Sequence, residues 1–391
     1  MVGQAGKVVL AVAVLLMVGA CQAGSAPPTA ATPTTNVTTT ALTGSTPPAV
    51  ASPSAAISPS AVTAIAVGSA VCELHADGVV VCRDQGNPTP TAVGGIANAT
   101  AISSDLGYTC ALLAGGGVMC WGLNATGQLG DGTLTNSRVP VPVSGITDAI
   151  AIEAGQGHAC AIRSGGSVMC WGDNSSGQLG SLTPTAASPI PLPVPGIDDA
   201  TALAAGETHT CAIRVGGGVK CWGSPVQLGN GSESALGDSS AVSVSGITDA
   251  VAITAGSYDT CVVLAGGAPM ASSPPAPSPA TSPRPQRDNV RCWGWDMSQL
   301  DSTVFRSVPV AVPGIHDATA VAAGLGQVCV VRGGGVVCWG RNEFGALGDG
   351  TDVDSAIPVP VPNIKDAVSI SSTGWSTCVL TSGGSVKCWG Q

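Results

Sequence analysis

The sequence predicts an all-β fold, a seven-bladed β-propeller of four-stranded antiparallel blades with one disulfide in each blade. Three observations predict it. A stretch such as "CAIRSGGSVMCWGDNSSGQLG", residues 160–180, recurs at a period near fifty residues. Each copy places two cysteines on either side of a diglycine, and no segment shows a sustained amphipathic-helix period. Cysteines followed by Trp-Gly fall at 120, 170, 221, 292, 338 and 388, in steps of 50, 51, 71, 46 and 50. In the long step Cys261 and Cys292 are 31 apart instead of ten, and removing that excess of 21 restores 50. A degenerate copy, "CELHADGVVVC" from Cys72, brings the count to seven.

Residues 148–196 serve as the type unit. "AIAIEAG", "HACAIRS" and "SVMCWGD" alternate with period two and read as three strands; "PIPLPVPG" reads as an edge strand, where proline is tolerated. The diglycine between the second and third strands is a hairpin signal. Four-stranded units of this length close radially, which leaves only short sheet edges.

The cysteines flank that hairpin. Cys160 and Cys170 are equidistant from Gly165, so a three-residue turn sets them opposite each other within disulfide reach. The same reasoning pairs Cys72 with Cys82, Cys110 with Cys120, Cys211 with Cys221, Cys261 with Cys292, Cys329 with Cys338 and Cys378 with Cys388. The 329/338 pair is one residue shorter, so its turn must differ, a bulge being one way. With only 3% aromatic residues each blade buries little, and a bridge closing about ten residues contributes roughly 2–3 kcal/mol in the chain-entropy account. Zinc is disfavoured: the spacing lacks close CxxC pairs, and the chain has four His.

Of fifteen cysteines, Cys21 is left over. Residues 1–20 hold one Lys and an apolar run from Val8 to Ala20, too short to span a membrane and suited to a signal peptide. "VGAC" resembles the lipobox of bacterial lipoproteins, which implies lipidation of Cys21. Export to an oxidising compartment is also what seven disulfides require. Residues 21–60, rich in Ala, Thr, Pro and Ser, read as a solvated tether reaching on the order of 100 Å when extended. The propeller is expected over 61–391, with a disordered Pro/Ser/Ala insertion at 266–291. The last repeat stops at Gln391 without its fourth strand, which the segment from Ala49 to Ser60 would supply to close the ring.

"AGxxH" at Ala154–His158, "GGxVxCWGxNxxGQLGDGT" at Gly116–Thr133 and "VPVPVxGI" ending at Ile146 resemble the repeats of the regulator of chromosome condensation family. The likeness covers nearly all of 61–391, and the cysteine-bearing version is similar to the extracellular propeller of CRINKLY-type plant receptor kinases. The family's namesake is a nuclear exchange factor that also binds chromatin. A net charge of −10 argues against nucleic acid, whose binding rests on phosphate neutralisation, and export removes the chain from a cytosolic GTPase.

The "GQLGDGT" loops lack the Lys-Ser/Thr of a P-loop, and "DGTDVD" from Asp349 lacks EF-hand spacing. A second constellation lies two residues before each first cysteine: Ala70, Tyr108, His158, His209, Asp259, Gln327 and Ser376, with Tyr258 and Trp375 one position earlier. In a meander these sit in the turn between first and second strands, on the face of the "GQLGDGT" loops. Tyr108, His158, His209, Tyr258, Asp259, Gln327 and Trp375 are thus candidates for a polar-aromatic contact ring, the alternative being that each packs within its own blade. No spacing nominates a catalytic set, a cofactor or a metal. The expectation is a monomeric, non-enzymatic, lipid-anchored propeller at the cell surface that binds an envelope protein or glycan. The alternatives are a secreted inhibitor of an extracellular hydrolase, since one group of β-lactamase inhibitor proteins shares this propeller, and an exported hydrolase.

Overall fold

The structure, a computed structural model, describes residues 60–84, 87–181, 185–232, 238–266, 287–296 and 304–390. The chain divides into two units, Met1–Ser52 and Pro53–Gln391, and every described residue belongs to the second. Cys21, the signal peptide and the tether up to residue 59 lie outside the described residues.

The described residues form seven antiparallel sheets, over residues 62–92, 99–142, 149–193, 200–243, 250–311, 318–360 and 367–389, here blades 1 to 7. Blades 1 to 6 have four strands in simple meander order and blade 7 has three. In blade 3 the strands are Ala149–Ala154, His158–Arg163, Val168–Asp173 and Ala187–Pro193, matching the alternation in the sequence. The second strand is the most buried, because it is flanked in its own sheet and covered by both neighbouring blades. Among the described residues the only helical elements are two short 3₁₀ turns.

Seven disulfides join the predicted partners, one in each blade. Cys160 faces Cys170 directly in the register, with Cα atoms 4.1 Å apart, as in a non-hydrogen-bonded pair. The hairpin between them is a three-residue loop: Arg163 N–H donates to the Ser167 carbonyl and Gly166 takes φ +81°. In blade 6 the shorter spacing is met without a bulge. Arg332 pairs with Gly335, leaving a two-residue turn with Gly333 at φ +53° and Gly334 at +78°, the type I′ combination that matches strand twist.

The insertion is smaller than 266–291, since Val290 and Arg291 belong to a strand paired with Cys261's strand; residues 267–286 lie outside the described residues. So does the proposed closing segment, apart from Ser60. Among the described residues the ring closes by packing. Ile65 and Val67 of blade 1 cluster with Cys378 and Leu380 of blade 7, and Val67 N–H donates to Ser371 Oγ at 3.2 Å.

Candidate binding face at the channel mouth

Strand direction alternates within each blade, so the turn from first to second strand and the loop from third to fourth share one face of the ring. Adjacent blades confirm this: Thr126 Oγ1, in the blade 2 loop, donates to the Gly157 carbonyl in the blade 3 turn.

Tyr108, His158, His209 and Gln327, each two positions before a first cysteine, point sideways from that face into the next blade. Tyr108 donates its hydroxyl to the carbonyls of Gly155 and His158 in blade 3. His158 reaches Thr210 Oγ1 at 2.8 Å in blade 4, and His209 reaches Thr260 Oγ1 at 2.6 Å in blade 5. Thr210 donates its own proton to the Gln178 carbonyl, so the His158 ring is the Nε2–H donor. Burial lowers both imidazoles, His158 to about 4 and His209 to about 3. Gln327 donates to the Gly374 carbonyl of blade 7 at 2.8 Å. Asp259 is the exception: it is fully buried, both carboxylate oxygens lack a partner, and burial pushes its carboxyl up to about 8. The "AG" before His158, His209, Asp259 and Gln327 reflects the same close packing between blades. A Cβ on Gly155 would lie 2.5 Å from the Gly206 carbonyl and 2.8 Å from the His158 ring.

The structure therefore seats Tyr108, His158, His209, Asp259 and Gln327 between blades, not on an open ring and not within their own blades. Ser376 is buried as well. Of the candidates, Tyr258 is 42% exposed and Trp375 half-buried at the surface.

The innermost strands of all seven blades line a central channel of about 240 Å³. Asp105 and Glu153 project into it; burial raises Asp105 to about 6 and, with help from the charge of Asp105, Glu153 to about 8. At the mouth stands Glu207, raised by burial and hydrogen-bonded to Tyr258, whose own pKa its charge raises. Beside this acidic opening runs an apolar arc. Phe344, 56% exposed, packs tilted against Trp375 with ring centroids 6.3 Å apart; Leu106 borders Gly374, and Leu123 covers Gly107. Phe344 holds φ +59°, a left-handed conformation rare for a bulky residue. Arg341 lies on the Trp295 ring, 4.7 Å from its centroid. Among the described residues no group of His, Cys, Asp and Glu is placed to hold a metal ion.

The profile described as "Regulator of chromosome condensation (RCC1) repeat" matches residues 115–162, 165–213 and 333–380, and a second profile of that description matches 149–178. The chain is a seven-bladed propeller that carries RCC1 repeats over those residues. Human WBSCR16 superposes with a TM-score of 0.66 at 16% identity, covering 81% of this chain and 85% of that one. Prp20p of Saccharomyces cerevisiae, described with its binding to Gsp1p and histones, gives 0.63 at 18% identity over 80% of each chain. The same yeast protein bound to Kap60 gives 0.64 at 18% identity, over 80% and 78%. These identities show a shared fold alone. No curated protein sequence matches the chain.

What sequence reasoning missed in this propeller are Asp105, Leu106, Leu123, Glu153, Glu207 and Phe344. A signal existed for Phe344: it occupies the loop position of Thr126 and Ser176, in a chain with only two Phe. Asp105 and Glu153 carried none, because only the closed ring brings the ends of different innermost strands together.

Proposed function

We propose that the chain is an exported, surface-tethered propeller that binds a protein partner through the channel mouth. The observation that carries this reading is the exposed arc of Leu106, Leu123, Phe344 and Trp375 beside the acidic opening. Aromatics held rigidly at a surface are favoured interface anchors, and a strained, solvent-facing Phe344 contributes nothing to the core. The carboxylates at the mouth favour a partner that presents a cationic side chain among apolar ones. The yeast protein of the same fold was described with protein partners, which supports binding as the mode of action. Tethering rests on the lipobox-like "VGAC" at Cys21 and the Pro/Thr/Ala-rich stretch after it.

Proximity labelling on intact cells, comparing the native chain with Phe344→Ala/Trp375→Ala and with Cys21→Ser, tests both halves. Enrichment of one envelope protein that the double substitution abolishes supports the binding face. Release of the Cys21→Ser chain from the envelope supports the anchor. Labelling of glycan only, or labelling that ignores Phe344 and Trp375, rejects this reading. A hydrolase captured and inhibited by the native chain would make the partner an enzyme.

A further inference from the structure

Four of the tryptophans that follow a second cysteine are held by the blade before them. Trp171 donates its indole N–H to the Gln128 carbonyl, Trp222 to that of Gln178, Trp293 to that of Gln227 and Trp389 to that of Ala346, at 2.9 to 3.0 Å. Each carbonyl belongs to a third-to-fourth strand loop whose next residue, Leu129, Leu179, Leu228 or Leu347, is buried in the junction. A glycine follows, with no room for a Cβ: at Gly130, Gly180, Gly229 and Gly348 it would meet the indole at 2.7 to 2.8 Å. Between blades 3 and 4 the Gln178 carbonyl takes a second proton, from Thr210.

The junction between blades 1 and 2 keeps the receiving half of this arrangement and lacks the inserted half. In blade 1 the third strand ends at Asp84 and the fourth begins at Asn87, so no such loop exists. Ala70 stands where the other blades place Tyr108 or His158. Across the gap Trp121 is only half-buried, and its indole N–H has no partner among the described residues. Thr109, the counterpart of Thr210, is 7% exposed; it accepts from Ser104, and its own proton has no acceptor there. What remains is a groove of about 640 Å³ lined by Ala70, Thr109, Trp121, Arg138 and the outer strand of blade 1. That volume suits a docked segment.

We propose that this groove is a docking site for a loop of a partner protein that carries a leucine-sized residue followed by glycine. The partner's backbone carbonyl accepts from the Trp121 indole and the Thr109 hydroxyl, its leucine fills the junction, and its glycine passes over the indole face. The site is continuous with the interface that the other blades share, and four filled junctions of the same molecule display the occupant's chemistry. The backbone carbonyl of Arg138 corresponds in register to that of Pro189, which accepts the Gly132 N–H of the blade 2 loop. The exposed Arg138 guanidinium favours an acidic residue after the glycine, the order Leu-Gly-Asp found in this chain's own loops. The site is separate from the Phe344–Trp375 arc and does not depend on it.

A synthetic peptide of residues 124–133, NATGQLGDGT, is the probe, added to the ¹⁵N-labelled full chain while its tryptophan indole resonances are followed. One of the eight indole signals, assigned to Trp121 by Trp121→Phe, is expected to shift and saturate. A peptide with alanine for leucine should bind about tenfold more weakly. Splicing the peptide sequence between Asp84 and Asn87 fills the groove from within and should abolish binding, which keeps the test valid if Trp121→Phe fails to fold. Three results overturn the proposal: no indole shift, shifts indifferent to the splice, or a Trp121 indole proton that exchanges as slowly as those of Trp171 and Trp222 without peptide. The last would mean that the chain fills its own groove.

Discussion

Two neighbouring junctions solve one packing problem differently. Between blades 4 and 5 a neutral imidazole, His209, is capped by Thr260. Between blades 5 and 6 the same position is Asp259, and the residue matching Thr260 is Val328, which offers no hydroxyl. The two differ by one methyl-for-hydroxyl exchange and one ring-for-carboxyl exchange. The comparison teaches that the ring tolerates a polar residue of either kind at this position provided it enters uncharged. A carboxyl can do so only by keeping its proton.

The largest expected effect sharpens this contrast. Asp259→Asn supplies an amide that can donate across the junction as Gln327 does, and should stabilise the propeller by about 2–3 kcal/mol at pH 8, read from urea unfolding. The gain should shrink on acidification. An unfolded Asp releases its proton near 3.8 while Asp259 holds its own to about 8, so in that window the native state binds more protons and stability falls as pH rises. His158 and His209 act with the opposite sign below 6.5, because there the unfolded state binds the extra protons. Between pH 6.5 and about 8 the histidines no longer contribute and the decline from Asp259 and Glu153 shows, at up to about 1.4 kcal/mol per pH unit for each, and Asp259→Asn should remove one share.

A somewhat smaller effect breaks the sound junction. Thr260→Val makes it resemble its neighbour and should cost about 1–2 kcal/mol by leaving His209 Nε2 without a partner. Val328→Thr, the reverse repair, should gain less than about 1 kcal/mol, and only where Asp259 is protonated. The smallest change in stability, though readily measured, concerns blade 7. Cys388 is exposed where no fourth strand is described, whereas Cys160 and Cys170 are fully buried. Limited reduction followed by alkylation and mass spectrometry should label Cys378 and Cys388 first.

The blades were legible because they repeat. Cysteine spacing located the hairpin, and alternation around Cys160 and Cys170 located three strands to within about a residue. Sideways relations were not legible. The constellation through His158 and Asp259 was visible as a row, but whether such a row faces solvent or the next blade depends on the tilt of the sheets. Phe344 and Trp375 are 31 residues apart in sequence and come together only once blade 6 lies against blade 7. The empty half of the junction at Trp121 could be inferred in part, from the absence of a GQLG-like stretch after Cys82, but only the filled junctions showed what that stretch does.

The bridge between Cys261 and Cys292 closes off the residues between them from the rest of the chain. A protease cutting anywhere in that interval, for example after Arg287, would turn one polypeptide into two without releasing either. The nick would be silent on a non-reducing gel and plain on a reducing one. The propeller can thus lose backbone continuity in its fifth blade and keep all seven blades in one covalently linked molecule.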